Sequence, residues 1–181
     1  MPESFIKYFS RSVAKVKVVP KEESWLMQAI GSLLAFLTKL KIVDFPKEKF
    51  MKDYTTTLWG IIYSGHMTED DEPSSLSCHE LTHRLQFLVW HMPIWYLLSK
   101  NFRMYYESES VQAEILCFPG RKRDEEWMMG RVVQFGGYGI PEHIVRAQIN
   151  ARMKEVEEGR PQDRPARVKA ALTTWEAECA A

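Results

Sequence analysis

Between residues 12 and 19 valines alternate with lysines (SVAKVKVV) and Pro20 closes the run, which predicts a short half-buried strand. Beyond Ser24 the period changes: WLMQAIGSLLAFLTKLKIV keeps apolar residues at helical spacing, so a buried helix with a serine cap is predicted. Pro46 and the charged KEKFMKD read as a connector. The β-branched and aromatic run YTTTLWGIIY, residues 54–63, predicts a second strand, and the polar, acidic, proline-bearing stretch 65–77 a loop. Helical period returns over 76–90 and is stopped or kinked at Pro93. Further helices are predicted over 101–118, ended by Pro119-Gly120, and over 124–135, ended by Gly136-Gly137. Pro141 opens another, reaching about residue 158. After the break GRPQDRP a last polar helix covers 166–179.

These elements imply an α+β, mostly helical fold, with a small sheet packed on two antiparallel core helices. Residues 1–160 are expected to form the domain and 161–181 a peripheral C-terminal helical extension. An apolar fraction of 45% is enough for a real core. Twenty-four basic residues balance twenty-four acidic ones, which removes the electrostatic case for nucleic acid or an anionic membrane as the main partner. The longest apolar run is interrupted by Gln28, Lys39 and Lys41, so no membrane span is expected. The N-terminus MPESFIKYFSRS lacks the build of a signal peptide. Cys78, Cys117 and Cys179 form no CxxC and read as reduced thiols. The expected compartment is therefore a cytoplasm, or a virion if the chain is phage-encoded.

The chemistry concentrates in His79-Glu80-Leu81-Thr82-His83. Histidines four apart on a helix share a face, one turn above the other, so His79 and His83 can reach one Zn2+. Glu80, next to the first histidine, could then serve as general base on a water whose pKa the zinc lowers. Cys78 precedes His79 by one residue and points about 100° away, so it is left out of the ligand set. Leu81, Leu85, Leu88 and Val89 supply an apolar stripe to hold the helix. A strand precedes the motif, suited to pairing with an extended peptide, and a carboxylate-rich helix (Tyr106-Glu107-Ser108-Glu109-Ser110) follows it.

HELTHRLQF, preceded by YTTTLWGIIY and followed by LLSKNFRMYYESESVQAE, resembles the gluzincin group of zinc metallopeptidases. It is more closely similar to short HExxH proteins of bacterial and phage genomes, which carry a TT-containing strand, HELxHxxQ and a "YLL…FR…YExEA" helix. The resemblance covers about residues 12–118. It implies a zincin-like core with His79 and His83 as metal ligands, Glu80 as the catalytic carboxylate and Glu107 as third ligand. Glu109 is the rival; the two lie about 200° apart on one helix, so both cannot face the metal. Three and four places after the ligand the family shows a small residue and often an acidic or aromatic one. Ser110 fits, whereas Val111 departs and takes away an acceptor for a histidine N–H.

Tyr138 or His143 could stabilise the oxyanion, although an aromatic packing after a glycine turn explains Tyr138 as well. His91 and His66 read as structural and exposed respectively; Trp90, Trp95 and Trp127 read as core. Arg160, Arg164 and Arg167 read as a solvated basic face. The functional expectation is a zinc-dependent peptide-bond hydrolase acting on a peptide or protein. The alternative is a phage virion or assembly protein that keeps the zincin-like fold, with or without zinc, has no protease activity and binds other virion proteins. A closed, purely stabilising site with a fourth protein ligand is a third reading.

Overall fold

The computed structural model describes residues 3–40, 47–58, 60–87, 99–136 and 139–181. The class is α+β: mostly helical, with one three-stranded sheet. The chain divides into two compact units, residues 1–72 and 73–181.

The first unit opens with α1 (Phe5–Ser12), capped by the Ser4 side chain accepting from Lys7 N–H. Its apolar face, Phe5, Ile6, Tyr8 and Phe9, is buried. This helix takes up Ser12, so the strand expected from residue 12 is confined to β1 (Lys17–Pro20). The single strand expected over 54–63 is instead a hairpin of β2 (Thr56–Leu58) and β3 (Ile61–Ser64). Leu58 pairs with Ile61, and Gly60 turns the chain at φ 87°, a backbone region only glycine enters without strain. β3 is central, antiparallel to β2 and parallel to β1. Between β1 and β3 run α2 (Trp25–Lys39), capped by Ser24, and α3 (Lys47–Asp53). Met27, Phe50, Met51 and Tyr63 form the core that joins these helices to the sheet. α2 is not buried all round as expected: Trp25, Leu33 and Phe36 remain more than half exposed.

The second unit is all helix among the described residues. α4 (Ser75–Gln86) starts at a reciprocal cap in which Ser74 and Ser77 each accept the other's backbone N–H. α5 (Lys100–Cys117) is capped by Ser99. α6 (Glu125–Gly136), α7 (Glu142–Glu157, entered through Pro141) and α8 (Asp163–Ala180) follow. α5 is the axis, packed against α4, α7 and α8. One of its faces is apolar: Met104, Val111 and Ile115 join Met128 and Phe135 of α6, then Ile140, Val145 and Ile149. Trp127 packs onto this cluster, as expected of a core tryptophan.

The boundary expected at residue 160 is not where the chain divides. α8 packs on α4 and α5 and buries Pro165, Val168, Ala171 and Leu172, so the chain as far as Leu172 is part of the second unit's core, while residues 173–181 are largely exposed. Among the described residues no helix is long and apolar enough to cross a membrane.

Candidate metal centre

Around the rest of its circumference α5 is polar and yet buried. Glu107, Ser108, Glu109, Ser110, Gln112 and Glu114 are each at most 5% exposed. Glu107, Glu109, Ser110 and Glu114 meet α4, where His79, Glu80, Thr82, His83 and Gln86 are buried as well, while Ser108 and Gln112 meet Arg152 of α7. Burying this many polar groups is costly unless each is satisfied. Several are closed locally: Thr82 donates to the Cys78 carbonyl at 2.9 Å and Ser108 to the Tyr105 carbonyl at 2.8 Å.

The histidines converge. His79 Nε2 and His83 Nε2 are 3.1 Å apart, and Glu107 Oε2 lies 3.4 Å from the first and 3.6 Å from the second. Ligands held at about 2.0–2.2 Å around a tetrahedral zinc stand roughly 3.3–3.6 Å from one another. The two sides to Glu107 fall in that range, and the side between the two Nε2 atoms is about 0.2 Å shorter than its lower end.

The outer nitrogens explain why both Nε2 atoms face inward. His79 Nδ1 is 2.8 Å from Glu114 Oε1, and the other Glu114 oxygen accepts from Arg131 Nη2. His83 Nδ1 is 2.7 Å from Gln86 Oε1, with Ser110 Oγ at 3.3 Å. Gln86 Nε2 donates to the Tyr106 carbonyl at 2.9 Å and to Glu109 Oε2 at 3.0 Å, which orients the amide. Assigned from these partners, each ring carries its proton on Nδ1 and turns a bare Nε2 to its neighbour. Two lone pairs at that separation repel unless a cation, a proton or a metal ion, sits with them.

The electrostatics agree. Burial pushes the His79 imidazole down, but hydrogen bonds and charge from Glu107 and Glu114 override it and raise it to about 10. For His83, burial again opposes and the nearby Glu107 wins, so it too is raised. Burial pushes Glu107 up, yet the charge of His83 and hydrogen bonds from both imidazoles hold it well below the ordinary carboxylate range. Without a metal the three groups share protons and titrate as a unit. The donor set of two imidazoles and one carboxylate suits a divalent transition metal.

His79, His83 and Glu107 form the group among the described residues with the make-up to hold a metal ion. Glu109 is turned away and engaged by Gln86 and by Arg164, whose Nη1 lies 3.1 Å from each carboxylate oxygen. Glu80, 4% exposed, adds its charge to those that raise His83. Cys78 is no part of the cluster; a hydrogen bond with the Cys117 thiol and burial push its thiol up, away from the thiolate a metal requires. Val111 sits in the apolar core, and the acceptor expected at its position comes instead from Glu114, seven residues after Glu107 on the same face. Arg164 is no solvated surface charge but a partner of buried Glu109. His143 and His66 are exposed; Tyr138, His91, Trp90, Trp95, Leu88 and Val89 lie outside the described residues.

Sequence reasoning missed Glu114, Arg131 and the role of Gln86. Gln86 follows His83 by three residues and so shares its face, a signal present in the sequence but not decisive. Nothing local points to Arg131 or Arg164.

No family model matches this chain, and neither the curated proteins nor the solved structures contain a significant match.

Proposed function

We propose that the chain is a zinc-dependent peptide-bond hydrolase. The convergence of His79 Nε2, His83 Nε2 and Glu107 Oε2 into a triangle close to tetrahedral ligand spacing carries this reading. Bound there, zinc would supply Lewis-acid polarisation of the scissile carbonyl and lower the pKa of the attacking water. Glu80, which follows His79 immediately and is buried with it, is the candidate to take the proton from that water and return it to the leaving amine. Glu114 and Gln86 hold the two Nδ1 protons, so the ligand nitrogens need no reorganisation. The resemblance of HELTHRLQF and the Glu107 helix to gluzincin-like HExxH proteins supports the same assignment.

One observation favours a second reading. His79, His83 and Glu107 are 5%, 7% and 3% exposed, the burial expected of a site that staples α4 to α5 and admits no substrate. That burial favours a stabilising metal site without turnover.

Metal analysis of the purified protein, followed by cleavage of an unfolded protein substrate by the parent and by Glu80→Gln, separates the two. Hydrolysis expects one zinc per chain in both and cleavage in the parent alone. Zinc without cleavage in either supports the stabilising site.

A further inference from the structure

We infer that Arg164 on α8 is a positioning residue for His83, acting through Glu109 and Gln86; this rests on the metal reading above. The chain of contacts is continuous and lies within the second unit. Arg164 Nη1 donates to both oxygens of Glu109 at 3.1 Å. Glu109 Oε2 accepts from Gln86 Nε2 at 3.0 Å, and Gln86 Oε1 faces His83 Nδ1 at 2.7 Å.

A glutamine amide can sit either way round, and its neighbours decide which. Here both groups facing Nε2 are pure acceptors, the Tyr106 carbonyl and the Glu109 carboxylate. The amide oxygen is therefore committed to His83, the Nδ1 proton is held, and Nε2 is left bare toward His79 and Glu107. Turned over, the amide would present N–H to Nδ1, drive the ring proton to Nε2 and destroy a metal ligand.

Glu109 is 1% exposed, and a buried carboxylate stays in place only while a cation meets it. Arg164 is that cation, with a side chain 26% exposed, and it comes from the last helix of the chain. Seating of α8 is thus built into the coordination geometry of a helix it does not share. Without Arg164, Glu109 swings toward solvent and Gln86 loses one of the two acceptors that fix its orientation, leaving the Tyr106 carbonyl alone.

The test measures zinc affinity by chelator competition and the His83 Nδ1–H proton resonance with and without zinc, with far-ultraviolet circular dichroism as the check on folding. Arg164→Met should weaken zinc binding by about ten-fold or more and bring the Nδ1–H signal into fast exchange with water. Arg164→Lys, which keeps a cation beside Glu109, should restore most of both. Should Arg164→Met fail to fold, the double variant Glu109→Leu/Arg164→Met strands no charge and should show the same two losses. A folded Arg164→Met, or double variant, with parental affinity and a parental Nδ1–H signal overturns the inference. If the parent binds no zinc, the metal reading falls separately, and the Nδ1–H signal of the metal-free proteins still decides the relay.

Discussion

The Nδ1 atom of His79 lies 2.8 Å from Oε1 of Glu114, two turns beyond Glu107 on the facing helix. One helix therefore brings both a candidate ligand and the group that orients the opposing histidine. Glu114 is itself fixed by Arg131, which also stacks 5.3 Å from the Trp127 ring. Removing this support should act on metal affinity without deleting a ligand. Glu114→Ala is expected to weaken zinc binding by roughly 10–100-fold, and Glu114→Gln, which keeps an acceptor, by less. Competition with a chromophoric chelator measures both; equal affinities for parent and Glu114→Ala would contradict the assignment.

Glu107 and Glu109 differ in role although they are two residues apart. Elemental analysis of Glu107→Ala should find no stoichiometric zinc, as for His79→Ala or His83→Ala. Glu109→Ala should keep zinc at reduced affinity. A reversal of that order would exchange the two residues.

In the metal-free protein His79 rises from an ordinary 6.5 to about 10 on folding, and His83 rises as well. The stability His79 contributes is fully present below pH 6.5 and is lost as pH climbs from there through about 10, and His83 acts in the same direction. Glu107 is depressed, so its contribution is present above its ordinary 4.5 and is lost as pH falls through the lowered value. The urea midpoint measured in chelator should accordingly fall between about pH 6 and pH 9. With zinc the fall should vanish or reverse, because protons and metal compete for the same nitrogens. A chelator-treated midpoint that rises over this range would refute the linkage.

Two structural substitutions calibrate the second unit. Phe135→Ala, in the core between α6 and α5, should cost about 3–5 kcal/mol. Ser74→Ala, which breaks the reciprocal cap of α4, should cost about 1 kcal/mol. Denaturant unfolding reads both, and a cap cost near that of the core cavity would mean that Ser74 does more than begin a helix.

Much was legible from local pattern. The start of α2 follows from a serine before an apolar-periodic run, and α7 begins at its proline. His79 and His83 share a face because four residues nearly complete a turn, which needs no tertiary information. Patterning failed where two solutions satisfy the same local sequence. YTTTLWGIIY suits one strand or two, and only pairing of Leu58 with Ile61 across Gly60 makes it a hairpin. Likewise α2 is apolar on more than one face, and sequence does not say which face finds the sheet.

By itself the sequence determined the helical spacing of the two imidazoles, the α+β mixture and the short list of carboxylates within reach. Tertiary packing decided that Glu107 rather than Glu109 completes the triangle, that Glu114 and Gln86 hold the outer nitrogens, and that α8 is a wall of the site. The reason is one of range: helical period fixes which residues share a face, but the rotation of α5 against α4 and the arrival of Arg164, 55 residues after Glu109, are settled by burial and charge pairing between distant segments.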